Sequence, residues 1–198
     1  MDNLEASYLG PPLVFSSYYK FDRAALLPKL EMLAKDSRFF EPNEEVGDAG
    51  SSAAFLENEQ PHHWPELQEF VQQSLEKANE IFHLWEMQIG IPKVTQSWCN
   101  LHRRGSFTNY HTHQFADLVV SAYIDAPPRS GNLLLVDPLE NHWFGLPCNR
   151  NRYIHTGYSV PVETNKVLFF APFIRHATEK NFSDKDRWVL SMNISCKD

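Results

Sequence analysis

Residues 109–114 read Asn-Tyr-His-Thr-His-Gln, a stretch in which two histidines are separated by one residue. Side chains alternate between the two faces of a β-strand, so on a strand His111 and His113 point to the same side. Neutral imidazole is the commonest metal ligand, and a same-face pair supplies half of a metal site. His176, which follows an apolar strand ended by Pro172, can close that site. The alternative is a solvated or hydrogen-bonded histidine pair.

The composition predicts one globular domain. The chain has 198 residues, of which 42% are hydrophobic and 13% aromatic, enough to bury a core. The formal net charge is −7, and the longest basic run is Arg103-Arg104. Because nucleic-acid binding depends on neutralising phosphates, no nucleic-acid partner is expected.

The same composition predicts a cytoplasmic protein. The three cysteines, Cys99, Cys148 and Cys196, are odd in number and widely spaced, which favours reduced thiols over disulfides. The first residues lack the basic and apolar regions of a signal peptide. No apolar run reaches the roughly 18 residues of a membrane span.

The first half of the chain predicts a strand and two helices. Residues 13–19 are rich in aromatic and β-branched side chains, as strands are. Asp22 is placed to cap a helix over 23–35, although Pro28 favours a start nearer Leu27. A second helix is predicted over 64–87, where apolar residues recur at intervals of three and four.

After Pro92 the pattern changes to short strands separated by turn residues. The predicted strands are 94–101, 118–124, 133–136, 153–158, 166–170 and 188–194. They indicate a mainly β fold with flanking helices: a double-stranded β-helix, or cupin-like jelly roll, with the N-terminal helices packed on one sheet. We expect one domain, 1–198, in which residues 1–92 give the N-terminal strand and helical support and 93–198 form the jelly-roll catalytic core.

An ordered set of motifs lies in this second half. In chain order they are Trp98-Cys99-Asn100, His111-Thr112-His113, Tyr123, Ser130-Gly131-Asn132-Leu133, Asp137-Pro138, Phe170-Ala171-Pro172 with His176, and Arg187 with Ser191 and Asn193. Over about residues 94–196 the chain resembles the 2-oxoglutarate/Fe(II)-dependent oxygenases, in particular their small bacterial and phage members. The resemblance implies an enzyme that hydroxylates a small molecule and releases succinate and CO₂.

The resemblance also implies roles for individual residues. His111 and His176 are expected to bind Fe(II), and Arg187 to anchor the distal carboxylate of 2-oxoglutarate by charge-assisted hydrogen bonds. Tyr123 is expected to donate to the same carboxylate, and Asn100 to meet the other end of the 2-oxoglutarate.

The chain departs from the family pattern at the third iron ligand. The usual His-x-Asp/Glu is replaced here by His111-Thr112-His113. Three interpretations stay open: His113 is a third histidine ligand, His113 faces the substrate while water fills the position, or Asp117 supplies the missing carboxylate.

A rival interpretation is a cupin-type metal dioxygenase that uses three histidines and no keto acid. Gly105, His111, His113 and Asp117 nearly reproduce the first cupin motif, with Asp in place of Glu. The Pro-x-Gly of the second cupin motif is absent, and Arg187 would have no role. A non-catalytic jelly-roll binding module is the remaining alternative.

The sequence indicates less about the substrate than about the metal and 2-oxoglutarate. We expect its contacts in the loop 38–61 and in the segment 141–152, because loops around such a core determine specificity. Arg129, Arg150 and Arg152 indicate an anionic group, such as an amino-acid carboxylate. A homodimer is compatible with the sequence.

Overall fold

A computed structural model describes residues 12–41, 48–53, 60–87, 90–138 and 157–196. The elements in these ranges follow one another in chain order: β1 Val14–Tyr18, α1 Arg23–Leu33, β2 Gly50–Ser51, α2 Gln68–Leu84, β3 Lys93–His102, β4 Leu118–Asp125, β5 Leu133–Val136, β6 Gly157–Val160, β7 Lys166–Phe170, β8 His176–Thr178 and β9 Arg187–Ser195.

The strands form two antiparallel sheets. The larger has the order β1-β7-β4-β9-β3-β2, and the smaller has the order β6-β5-β8. Side chains of both sheets share one core, in which Tyr123, Phe170 and Val189 of the larger sheet pack with Leu133 and Leu135 of the smaller. Two sheets with a common interior make the jelly roll, and the predicted fold class is confirmed.

The outer face of the larger sheet packs against both helices. Leu30 of α1 and Phe82 of α2 are fully buried in a second core together with Leu190 of β9. This core requires an apolar face on each helix, which the intervals of three and four in the sequence predict. The prediction that the N-terminal helices cover one sheet is therefore confirmed.

The first helix begins at Arg23, so the prediction of a start nearer Leu27 is wrong. Oδ1 of Asp22 accepts a hydrogen bond from the Ala25 amide at 3.2 Å and caps the first turn. Pro28 lies inside the helix and lacks one backbone hydrogen bond. The cap and the burial of Leu26 in the core outweigh that loss.

Six predicted strands agree to within one residue at each end with observed strands, which are β1, β3, β4, β5, β7 and β9. The predicted strand 153–158 corresponds to β6, which begins at Gly157 and ends at Val160, two residues beyond the prediction. Residues 153–156 of that prediction lie outside the described residues, as do Cys148 and the segment 141–152. The short strands β2 and β8 were not predicted. The N-terminal strand β1 pairs with β7, so it belongs to the larger sheet. The division at residue 92 stays a prediction.

Neither α-helix in the described ranges combines the length and the apolar character that a membrane crossing requires.

The packing of α2 on the larger sheet gives a stability prediction. Phe82 is fully buried, so we expect Phe82→Ala to lower the free energy of unfolding by about 3–5 kcal/mol. Gln72→Ala, at an exposed position of the same helix, is the control and should change it by about 0.5 kcal/mol or less. Urea unfolding measures both, and equal effects would show that α2 does not pack as described.

Candidate active site

The backbone brings His111 and His176 together. The two residues exchange amide-to-carbonyl hydrogen bonds of 3.0 and 2.9 Å, and the His113 amide donates to the Pro172 carbonyl at 3.1 Å. Only His111 of this segment forms a β-bridge, and the chain turns away at Phe115, which has a φ of 64°. The two histidines therefore do not lie on a regular strand. The convergence of their side chains depends on pairing with residues 172–176.

The three predicted histidines form one cluster. The ligand atoms of His111, His113 and His176 all lie within 4.8 Å of one another, and Nε2 of His113 is 3.2 Å from Nε2 of His176. Two nitrogens at that separation, each about 2.1 Å from one ion, would subtend an angle of about 100°. This is close to the right angle between neighbouring ligands of an octahedral ion.

Backbone carbonyls fix the tautomer of two of these histidines. Nδ1 of His111 lies 2.8 Å from the Asn109 carbonyl, and Nδ1 of His176 lies 3.0 Å from the Ile174 carbonyl. A carbonyl oxygen only accepts, so each Nδ1 carries the proton. Nε2 of each ring is left with a lone pair, which is the form that binds a metal.

The third histidine is held by side chains. Nδ1 of His113 lies 2.7 Å from Oδ1 of Asn193, and the Trp98 ring stacks on the imidazole with centroids 5.5 Å apart and planes inclined by 19°. The ring also lines the cavity beside the cluster, so Trp98 forms one wall of the site. The sequence gives Trp98 a place in the Trp98-Cys99-Asn100 motif but no role.

The surroundings keep His113 and His176 neutral. Burial and the neighbouring His111 lower the pKa of His113 to about 4. Burial, together with His111 and His113, lowers the pKa of His176 well below its ordinary value. Because two lone pairs 3.2 Å apart repel unless a cation or a proton lies between them, the donor set fits a divalent metal ion.

Asp117 lies apart from the cluster. Its carboxylate accepts hydrogen bonds from Oγ of Ser195 at 2.8 Å and from the Cys196 amide at 3.0 Å, where β9 ends. Among the described residues the metal-ligand cluster consists of the three histidines. The structure gives no support to the interpretation in which Asp117 supplies the third ligand.

Arg187 is completely buried on the inner side of β9. Its Nη1 donates to the carbonyls of Ser130 and Gly131, the latter at 2.8 Å. Its Nε and Nη2, which form one edge of the guanidinium, have no hydrogen-bond partner among the described residues. A buried cation with an open two-donor edge is suited to bind a carboxylate through both of its oxygens.

The turn that holds Arg187 requires glycine at position 131. Gly131 has a φ of +87°, and a Cβ there would lie 2.6 Å from the Glu179 carbonyl oxygen. Only glycine allows both the backbone conformation and this close approach. The Ser-Gly-Asn motif thus presents two carbonyls that orient the guanidinium.

Tyr123, Asn100 and His102 lie on the same inner face as Arg187. In the sheet, Val189 of β9 stands between Tyr123 and Asn100, and His102 pairs with Arg187. Burial raises the pKa of Tyr123 to about 12, although the charge of Arg187 acts in the opposite direction, so the phenol is a neutral donor. The Asn100 amide donates to Ser191 at 3.4 Å, and its Oδ1 is buried without a partner in the described ranges.

His102 is a further residue near Arg187, and no role for it is predicted from the sequence. The side chain is buried, and burial together with the charge of Arg187 lowers its pKa well below the ordinary value. Its Nε2 lies 2.8 Å from Oγ1 of Thr108, and its Nδ1 has no partner among the described residues. His102 lies opposite Arg187 only because β3 pairs with β9 in the folded chain. No spacing in the sequence predicts this neighbour.

A cavity of about 490 Å³ opens beside the histidine cluster. Besides His111 and His113, the lining side chains in the described ranges are uncharged amides, hydroxyls and aromatic rings, together with Ala53: Gln96, Trp98, Asn100, Thr108, Tyr110, Thr112, Gln114 and Asn193. Ala53 belongs to the predicted substrate loop 38–61, so one described part of that loop reaches the cavity.

Comparison with protein families gives one match. A family model described as "Putative 2OG-Fe(II) oxygenase" matches residues 96–193, which contain all six predicted site residues. A comparison with curated proteins finds no match.

Several solved structures share the fold. A prolyl-4-hydroxylase from Pseudomonas putida superposes with a TM-score of 0.61 at 11% identity, and the match covers 93% of each chain. The epimerase SnoN, in complex with Fe³⁺, alpha-ketoglutarate and nogalamycin RO, gives a TM-score of 0.61 at 13% identity over 91% of this chain and 78% of SnoN. An oxidoreductase of the 2OG-Fe(II) oxygenase family from Burkholderia pseudomallei gives 0.50 at 10% identity over 68% of this chain, which spans 58% of that protein.

The position of Asp117 gives a prediction that separates stability from metal binding. Asp117→Ala leaves the Ser195 hydroxyl and the Cys196 amide without their acceptor, so we expect the free energy of unfolding to fall by about 1–3 kcal/mol. Iron bound per folded chain should equal that of the wild type. Elemental analysis after anaerobic loading measures it, and a loss of iron at unchanged stability would make Asp117 a ligand.

Proposed function

Since this chain belongs, through residues 96–193, to the 2OG-Fe(II) oxygenase family and takes Fe(II) and 2-oxoglutarate as its cofactors, we propose that it hydroxylates a small molecule. His111, His113 and His176 are the proposed iron ligands, and Arg187 is the proposed anchor of 2-oxoglutarate. The observation that carries the proposal is the pairing of a three-nitrogen cluster with a buried arginine whose Nε and Nη2 have no hydrogen-bond partner among the described residues.

The residues have distinct tasks in this reaction. The three histidines hold the metal through Nε2, and the carbonyls behind His111 and His176 keep those nitrogens unprotonated. Bound Fe(II) supplies the redox chemistry that lets O₂ react, and 2-oxoglutarate supplies two of the electrons. Three histidines would supply three of the ligands of a bound Fe(II), and the remaining positions would be available to the keto acid and O₂.

Arg187 orients 2-oxoglutarate by binding the carboxylate that lies farther from the metal. Its Nε and Nη2 face no competing acceptor in the described ranges, so they are available to the distal carboxylate. Tyr123, neutral because burial raises its pKa to about 12, is placed to donate to the same group. Since Arg187 has no exposed surface, water competes poorly for these hydrogen bonds.

The proposed reaction balances as a hydroxylation. The keto acid is oxidised to succinate and CO₂ and takes up one oxygen atom of O₂, and a C–H bond of the substrate becomes C–OH with the other atom. Prolyl-4-hydroxylase and the epimerase SnoN share the fold, so the fold alone does not select this outcome. The choice of product depends on how a substrate sits beside the histidines.

The cavity beside the cluster supports a small, polar, uncharged substrate. Its described lining offers amide and hydroxyl groups for hydrogen bonds, and Trp98 and Tyr110 offer ring faces. A charged substrate group would be buried there without a counter-charge from these residues. The anionic group predicted from Arg129, Arg150 and Arg152 gains no support, because Arg129 is not in that lining and the other two lie outside the described residues.

The cupin-type dioxygenase remains a second candidate because of one observation, the three-histidine cluster. That reaction needs no keto acid, so a buried Arg187 with an open edge would serve no purpose in it. A binding module without metal would likewise need no convergent Nε2 atoms. Dependence on 2-oxoglutarate separates the three candidates.

The first test is an anaerobic titration of the Fe(II)-loaded protein with 2-oxoglutarate. We expect the weak visible charge-transfer band of the iron chelate in the wild type and no band in His176→Ala, which loses one of three ligands. His83→Ala, at an exposed position of α2, is the control and should keep the band. Bound iron without a band would support the cupin-type enzyme, and no bound iron would support the binding module.

A second test addresses the arginine. We expect Arg187→Ala to weaken 2-oxoglutarate binding roughly 100-fold or more, because a buried, charge-assisted contact is lost, while iron content stays near one per chain. Tyr123→Phe should have a smaller effect in the same direction. Arg104→Ala, which removes an exposed arginine, is the control. An unchanged requirement for 2-oxoglutarate in Arg187→Ala would overturn the assignment of the anchor.

A further inference from the structure

The three histidines differ in what holds them. Backbone carbonyls two residues earlier in the chain orient His111 and His176, whereas His113 depends on the side chain of Asn193, 2.7 Å from its Nδ1. We propose that Asn193 is a positioning residue that makes His113 a metal ligand by fixing its tautomer and its ring orientation. This inference rests on the proposed function, in which the histidine cluster binds iron.

In the structure the Asn193 amide turns its oxygen toward His113, 2.7 Å from Nδ1, and its nitrogen toward Oε1 of Gln96, 3.5 Å away. An amide oxygen only accepts, and the proton must therefore sit on Nδ1 of His113. Nε2 is then left with its lone pair toward His176, 3.2 Å away. The opposite amide orientation would protonate Nε2 and prevent coordination.

A second contact fixes the plane of the ring. Trp98 stacks on His113 with planes inclined by only 19°, and Asn193 holds the edge of the same ring. His113 lies outside any strand, so its own backbone constrains the side chain less than a sheet would. The ring is thus oriented by two residues that come from β3 and β9.

Asn193 is itself held rigidly. It lies near the C-terminal end of β9, paired with Val119 of β4 and Gln96 of β3, and its side chain is 7% exposed. Where related enzymes place a carboxylate, this chain needs a neutral imidazole with a defined donor nitrogen. An amide provides the acceptor without adding a charge to the site. Asn193 and His113 therefore act as one unit in place of the carboxylate ligand.

Two substitutions test the positioning role. Asn193→Leu keeps the size of the side chain and removes the acceptor, and Asn193→Asp keeps an acceptor oxygen. Ser195→Ala is the matched control, because it removes a buried hydrogen bond of the same strand, to Asp117, outside the site. Thermal unfolding of each variant confirms that the protein compared is folded.

The first readout is the tautomer of His113 in the metal-free protein, measured from the imidazole ¹⁵N shifts. We expect a larger fraction of the Nδ1-protonated form in the wild type, in Asn193→Asp and in Ser195→Ala than in Asn193→Leu, because only Asn193→Leu lacks the acceptor. Equal fractions in Asn193→Leu and the wild type would overturn the inference. This readout needs neither iron nor substrate.

The second readout is the affinity for Fe(II) and for Co(II), measured by anaerobic calorimetry. We expect Asn193→Leu to bind roughly 10–100-fold more weakly, and Asn193→Asp and Ser195→Ala to stay near the wild type. Equal affinity of Asn193→Leu and the wild type would overturn the inference and leave the proposed function intact. A wild type that binds neither metal would overturn the proposed function itself.

Discussion

The burial of β9 on both faces is the constraint on which the rest of the structure depends. All nine residues of the strand are buried between β4 and β3. Side-chain alternation sends Leu190, Met192 and Ile194 into the core beneath the helices. The opposite face carries Arg187, Ser191 and Asn193 toward the site. A shift of one residue in its pairing would exchange the two sets, so core packing and the position of the polar groups are set by the same register.

The polar groups on that face are costly to bury, and each is compensated in a different way. Asn193 is paired with His113, and Ser191 accepts from Asn100. Arg187 is compensated only in part, by the two carbonyls at Ser130 and Gly131. A buried guanidinium with an open edge gains most from an anionic ligand. In the proposed function, the carboxylate of 2-oxoglutarate would bind to a residue that the sheet has already desolvated.

The metal cluster combines local and distant interactions. His111 and His176 are oriented by their own backbone neighbours and by mutual pairing, which needs little more than two extended segments in contact. His113 contacts Trp98 of β3 and Asn193 of β9, so the proposed third ligand position depends on the pairing of these two strands. A neutral ligand in place of a carboxylate would leave a bound iron more positive, which would favour binding of a dianionic keto acid.

The sequence by itself determined the fold class and the family, because alternation, helix periodicity and ordered motifs are properties of the chain. Motif order alone also predicts His111, His176 and Arg187 as residues of the site. The role of Trp98 and the exclusion of Asp117 from the cluster could not be predicted in this way. Both depend on which side chains meet across the β3–β9 pair and at the end of β9. The histidine pair also needed the structure, since its convergence comes from pairing with residues 172–176 and not from a strand. Local patterns encode which residues can do the chemistry, and only the packing of distant segments decides which of them touch.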